Sequence, residues 1–536
     1  MQLNVKGIFH VRGPRLLIAL IVLFSFTISL DRVNAETNRL VEKARDHGSE
    51  GSRHHYDEPR ALMEESKSNG VDEEYTSQDA SGDALGDFSE DVYDDISEDA
   101  PEKEESRPDE QQALRKPTTI KKRANHKYVD LKLLSEFIDL STAYMVRINH
   151  ERNFVNTADE VGKFTYIARI GTSLKTSFMS VQNQYNLLRH NGAIYALALA
   201  YERRPSQKVL EVMIRAAIFL KESTMGPVPK VASDDTDDGK DAENIPNLLA
   251  VWENTNVQPS IIHPVAKLGG AGLALVALAS LERIAPGSSD MSDLRRIGNF
   301  IEWMQNDNGS FTSKYIPSKG GKDYSWNSLY YPGEAALGLV SLANVESDEK
   351  FKQKWLKVAT KALLYLHNLR ENQPLNKVEP DHWALLATAA LLPHLDPKVA
   401  EYELIYQHGL KVVKAMLHFS TKEQLKLHQG CFTMDGRTCP TATRLEGLIA
   451  SLSFVRKHET FVGRGETQTE KLRERMLHDI KMGIQFLLNA QEKETKNYMH
   501  GAIPVSAKKP QTSSTDEVRV DYVQHAMSVS TKVVSM

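Results

Sequence analysis

The chain is predicted to be all-α: an (α/α)6 toroid of six helical hairpins, preceded by a signal peptide and a disordered acidic segment. Three observations predict it. From about Lys127 onward, apolar residues recur at helical spacing between short breaks marked by Gly and Pro. Two kinds of helical segment alternate strictly, one apolar nearly all round and one with a charged face. The apolar kind is rich in Ala and Gly, so neighbouring backbones can approach closely.

At the amino terminus, Lys6, Arg12 and Arg15 form a positive region, residues 16–30 an apolar stretch, and Val33-Asn34-Ala35 a small-residue cleavage site. This is the pattern of a secretory signal peptide over residues 1–35. The apolar run, about 15 residues, is shorter than the ~20 that span a bilayer. An uncleaved signal-anchor is the alternative, although Asp31 and Arg32 follow the run at once. No later segment is apolar enough to cross a membrane, so no stable span is expected after signal removal.

Residues 36–125 are dominated by Asp, Glu, Ser and Gly. They bury too little apolar surface to offset the entropy of ordering, so this leader is expected to be disordered. The chain's net charge of -5 has its acidic excess there. The remainder is near neutral and carries no basic stripe, which argues against a nucleic-acid partner.

Within the leader, Arg60-Ala61-Leu62-Met63 precedes Asp72-Glu73-Glu74-Tyr75. The pair resembles the Arg-x-Leu-Arg and Asp-Glu-Glu-Arg boxes of oomycete RxLR-type secreted effectors, with Met63 and Tyr75 standing where that family has Arg. The resemblance implies a secreted protein that passes into the cytoplasm or nucleus of a host cell. There it would suppress host defence or cell death through an unknown host protein. An acidic spacer of no fixed sequence is the alternative.

The folded domain is expected over residues 126–536. Its apolar segments fall at 185–200, 264–284, 332–344, 381–392, 441–455 and 520–530. Its amphipathic segments fall at 131–148, 207–221, 292–305, 350–369, 398–417 and 470–489. A helix apolar on all sides must be buried, and one with a single apolar stripe covers it. Six of the first kind ringed by six of the second close into a toroid, the first amphipathic helix pairing with the last apolar one. An open solenoid is the alternative, but the spacing between apolar segments varies too much for a standard array.

The sequence Gln305-Asn306-Asp307-Asn308-Gly309-Ser310-Phe311 follows one amphipathic helix. Partial copies are His428-Gln429-Gly430-Cys431-Phe432, and Gln491 leading to Gly501-Ala502-Ile503. These resemble the turns that end outer helices in terpenoid-cyclase-like toroids, and imply architecture only. Asp234-Asp235-Thr236-Asp237-Asp238 is the nearest look-alike of the cyclase acid motif, and reads better as a solvated loop. The domain also resembles the helical portion of glucuronyl C5-epimerases and six-hairpin glycosidases. That resemblance implies a carbohydrate ligand at one mouth of the ring.

In such a ring the amino-terminal ends of the apolar helices meet at one mouth. The polar residues there are the site candidates, because these helices are otherwise apolar. Glu334, Asp381, Glu446 and Asp521 are the candidate catalytic carboxylates, since glycoside chemistry needs two carboxyl groups with separated pKa values in one open cavity. His382, His525, Tyr330 and Tyr331 can handle protons, and Trp383 and the tyrosines can stack on a sugar. Arg189 and Arg444 can clamp an anion, and His190 accompanies Arg189. Acidic residues in a first helical turn also favour the helix dipole without any further role.

Cys431 and Cys439 are the chain's only cysteines; one disulfide is the natural reading in an exported protein, a buried pair of thiols the alternative. No metal set and no cofactor motif can be assembled from the sequence. Asn308 begins a glycosylation sequon. Three functions follow: a secreted effector, a carbohydrate-active enzyme using the mouth carboxylates, or a non-catalytic sugar-binding toroid.

Overall fold

The computed structural model describes residues 130–536, apart from 152–159, 171–184, 230–247, 259–260, 419, 421–428, 463–466, 494–497 and 508–515. The signal peptide, the acidic leader with its Arg60 and Asp72 boxes, and the Asp234 loop lie outside the described residues.

Among the described residues, twelve α-helices alternate between two circles. The inner circle comprises α2 (Leu187–Arg203), α4 (Leu268–Ile284), α6 (Tyr331–Val345), α8 (His382–Leu391), α10 (Thr438–Val462) and α12 (Val520–Val534). The outer circle comprises α1 (Leu131–Arg147), α3 (Gln207–Thr224), α5 (Met291–Trp303), α7 (Glu349–Arg370), α9 (Ala400–His418) and α11 (Thr467–Ala490). Each inner helix packs on the next, and α12 packs on both α10 and α2, which closes the ring. Helix α1 leans on α12, as the pairing of first and last segments requires. The fold is the expected (α/α)6 toroid.

Burial follows the two sequence patterns. In α4 every residue from Leu268 to Leu281 is buried, whereas α7 buries one stripe through Trp355, Ala359, Ala362 and Leu366. Glycine sets the distance between inner helices: a Cβ at Gly272 would overlap the Glu334 backbone, and one at Gly338 would overlap Gly272. A helical Gly costs about 1 kcal/mol relative to Ala, and here it allows α4 and α6 to touch backbone to backbone.

The turn motif works as a clasp between successive outer helices. Gln305 Nε2 donates to the Val358 carbonyl of α7 at 3.1 Å, and Gly309, at φ +89°, lies so close to α7 that a Cβ would overlap the Lys361 carbonyl. Gln491 donates to the Phe137 carbonyl of α1 at 3.0 Å, and Gly501 lies against the Leu140 carbonyl. Gly430 takes the same position against the Met482 carbonyl of α11. A fourth copy was hidden: Asn149 replaces Gln, Gly162 lies against the Arg215 carbonyl of α3, and Asn149 bridges to Phe164 as Gln305 does to Phe311.

The fold is not purely helical. A five-stranded antiparallel sheet, in the order β2-β3-β4-β5-β6, is built from Met225–Pro227, Leu249–Glu253, Val265–Lys267, Lys314–Ile316 and Gly321–Asp323. A second pair joins β1 (Ile167–Arg169) to β7 (Glu517–Arg519), with Ile167 opposite Arg519. Most of these strands are three residues long, too short for a period of two to register in the sequence. Strand β4 runs straight into α4 and β7 into α12, so both sheets line the mouth where the inner helices start.

The expected disulfide is absent: Cys431 and Cys439 are both free thiols. Cys431 turns to the Thr441 and Thr433 hydroxyls at 3.2 and 3.3 Å, while Cys439, on the first turn of α10, faces the Asp521 carboxylate at 3.9 Å. Thiol-to-oxygen contacts thus hold the two sulfurs apart. Asn308 is exposed, with its side-chain oxygen accepting from Ser310 N–H at 3.0 Å in the clasp turn.

Candidate functional site on the ring axis

The starts of the inner helices bring most, but not all, of the candidates together. Asn186 caps α2 by accepting from the Arg189 N–H at 3.1 Å. That cap places the Arg189 guanidinium on the last helix, 3.3 Å from Asp521. Burial works against the Arg189 charge; Asp521, then Tyr166, outweigh it and raise its pKa. Arg519 extends the cluster, donating to Glu517 at 2.8 Å and to the Tyr166 hydroxyl at 3.3 Å. Glu334 is buried beneath, where Gly269 leaves room for its carboxylate.

Deeper on the axis lie His382, Glu446 and His525, contributed by α8, α10 and α12 and only 7%, 1% and 3% exposed. His525 Nδ1 lies 2.7 Å from Glu446 Oε2. Burial alone would push the Glu446 carboxyl up, but His525 beside it pulls it down to about 2. His382 stands edge-on to His525, with ring centroids 5.4 Å apart, and its Nε2 has no hydrogen-bond partner. Burial, then the neighbouring His525, holds the His382 pKa well below the ordinary imidazole range. Trp383 packs on both rings, at 4.6 Å from His382 and 5.9 Å from His525, and the half-buried Tyr330 approaches His382 at 6.5 Å.

One polar stripe on α12 supports all this: Asp521, His525, Ser528 and Lys532 recur at helical spacing along the helix. Lys532 was missed at the sequence level, although its place seven residues after His525 puts both on one face. It lines a cavity of about 560 Å³ at the other end of the ring, together with Leu386, Ile449 and Ser453. Tyr195 and Glu446 keep its ammonium charged against burial. His382 and Leu386 are one turn apart on α8, as are Glu446 and Ile449 on α10. The imidazole cluster therefore sits one turn from that cavity.

Four candidates belong elsewhere. Asp381 caps α8, accepting from Ala384 N–H at 2.9 Å, and pairs at 3.0 Å with Arg370 of α7. Arg370 also meets His408 of α9 at 3.3 Å, so Asp381 faces the outer circle rather than the axis. His190 points its Nε2 at the Ala216 carbonyl of α3, 3.0 Å away, among Phe164, Tyr185 and Phe219. Arg444 donates to the Phe432 carbonyl at 2.8 Å, bracing a loop. Tyr331 is 4% exposed and packs edge-on to Trp326, in the contact of α4 with α6.

No protein-family profile and no curated protein sequence matches the chain. Among solved structures it is similar to a sugar epimerase from a ruminal bacterium, at TM-score 0.49 and 14% identity over 76% of this chain and 98% of that one. A D-mannose isomerase gives 0.48 and 11% over 75% and 97%. An α-1,6-mannanase of Salegentibacter sp. HEL1_6, in complex with α-1,6-mannotriose, gives 0.45 and 10% over 75% and 99%.

Proposed function

We propose that the domain is a carbohydrate-active enzyme that moves a proton at a carbon next to a sugar carbonyl, as an epimerase or aldose–ketose isomerase does. One observation carries this reading: two imidazoles face each other on the ring axis in different settings. His382 is held neutral by burial and its buried Nε2 has no hydrogen-bond partner, so it is the base in this reading. His525 is oriented through Nδ1 by Glu446 and serves as the partner that returns the proton. Half-buried Tyr330 supplies a face on which a sugar ring stacks, while buried Trp383 backs the two imidazoles. Substrate enters past Tyr330 and Arg189, the partly exposed rim of the mouth.

The two-carboxylate glycosidase reading lacks its parts. Asp381, Glu446 and Asp521 are each buried against a basic partner, Arg370, His525 and Arg189 in turn, and Glu334 is buried at 2% exposure. Glycosidases need one carboxyl group free to give a proton and another free to act as base or nucleophile.

The test is solvent exchange. Incubated in D2O with a panel of aldoses, ketoses and uronates, the protein should introduce deuterium next to the carbonyl of at least one sugar, read by NMR. His382→Ala and His525→Ala should each slow this by about 100-fold or more. Absence of exchange across the panel, or an unchanged rate in the double variant, overturns the reading.

Export and entry into a host cell form a separate proposal. It is supported by the order of signal peptide, Arg60-Ala61-Leu62-Met63 and Asp72-Glu73-Glu74-Tyr75 in the leader. Expression of residues 36–536 inside plant cells, followed by a cell-death suppression assay, tests it; a chain without effect there removes the effector role. Persistence of suppression in His382→Ala would assign it to binding a host protein rather than to turnover.

A further inference from the structure

We propose that His382, Glu446 and His525 form a binding site for a divalent transition-metal ion of the zinc, cobalt and nickel group. One donor atom from each residue lies within 4.8 Å of the other two, and all three residues are buried. Three features make this more than a chance meeting. The donors come from three inner helices, α8, α10 and α12, whose mutual packing fixes their backbones. His382 Nε2 is buried and accepts no hydrogen bond, which costs free energy unless something occupies it. Two imidazoles and one carboxylate are the donor set of a borderline-soft cation and not of Mg²⁺ or Ca²⁺, which prefer oxygen.

A metal with bonds of ~2.0–2.1 Å in tetrahedral geometry holds its donors about 3.4 Å apart. The trio closes to that spacing by side-chain movements of about 1 Å, with the hydrogen bond between His525 and Glu446 given up as both turn to the ion. Three protein ligands leave a fourth position for water or a substrate oxygen. Trp383, against both rings, shields the site on one side. Asp521 neutralises Arg189, while Glu446 is the anion that Lys532 and a bound ion would share.

The site stands on this geometry alone. Its consequence rests on the proton-transfer reading: a bound ion occupies both imidazoles, so it inhibits exchange.

The full mature chain, stripped with a chelator, is titrated with CoCl2 and followed by visible absorption, and with ZnCl2 by calorimetry. Saturable uptake of one ion per chain is expected, with a raised Tm. His382→Gln and Glu446→Gln should each weaken uptake by at least about tenfold. His263→Ala, at an exposed histidine, should leave it unchanged. X-ray absorption of the cobalt-loaded wild type should count two imidazole ligands, a readout that does not depend on any variant folding. Uptake that is absent, unsaturable, unchanged from wild type in both Gln variants, or lacking imidazole scattering overturns the proposal. Metal uptake by a protein that shows no sugar exchange when stripped of metal would remove the enzymatic reading and leave the site; exchange by the stripped protein without any uptake would do the reverse.

Discussion

Among single residues, the buried acids that open inner helices divide into those that serve the axis and one, Asp381, that serves the frame. Asp381 is fully buried on Arg370, itself 1% exposed, and removing one partner strands the other charge. Asp381→Ala should therefore lower unfolding free energy by about 3–5 kcal/mol, read from urea denaturation. Because Asp381 faces α7 and α9, sugar exchange per folded molecule should stay at the wild-type rate. A collapse of exchange in folded protein would place Asp381 in the site after all. The sequence put Asp381 and Glu446 on the same footing, since both open inner helices. What separates them is which neighbour each faces, Arg370 of an outer helix or His525 of an inner one. A single helix start does not encode that choice.

At the level of elements, helices were legible and strands were not. The alternation of apolar and amphipathic segments is a long-range pattern repeated over hundreds of residues, so it survives local noise. Strands of three residues carry no such redundancy, and β2 to β6 form because the mouth loops pair with one another, which is a tertiary cause. The clasp lies between these cases. Its Gln-to-Gly form was readable after α5, while the copy after α1 uses Asn149 and a longer loop to Gly162. The positive φ at Gly309 and its closeness to the Lys361 carbonyl predict a specific sensitivity. Gly309→Ala must adopt a left-handed conformation and push α7 away, and should cost about 1–3 kcal/mol. Gly287, also at positive φ but with nothing within 4 Å, should lose only the conformational part on substitution by Ala. Equal losses at the two positions, measured by thermal unfolding, would show that the clasp does not hold α5 to α7.

Across the whole molecule, ring closure could be counted from the sequence, but the charges sealed inside the ring could not, because burial is a property of the closed ring. The junction of α1, α2 and α3 shows the consequence. His150 and His190 are 6% and 2% exposed, and Lys163 lies beside both. Burial, then Lys163, pushes His150 down to about 3; burial holds His190 at about 4 although the Ala216 carbonyl favours its proton. In the unfolded chain both take up protons near the ordinary value of 6.5. Below that pH the unfolded state binds more protons than the native one, so stability falls as the solution is acidified. The loss should run from about pH 6.5 down to about 4 for His190 and about 3 for His150, at up to ~1.4 kcal/mol per pH unit for each. His190 already sits among Phe164, Tyr185 and Phe219, so His190→Phe suits its surroundings and removes one of the two titrations. Urea midpoints between pH 7 and pH 4.5 should then decline less steeply than in the wild type, by the share of one of the four buried histidines held low, His150, His190, His382 and His408. If the decline is equally steep, the acid sensitivity of the ring lies in other groups.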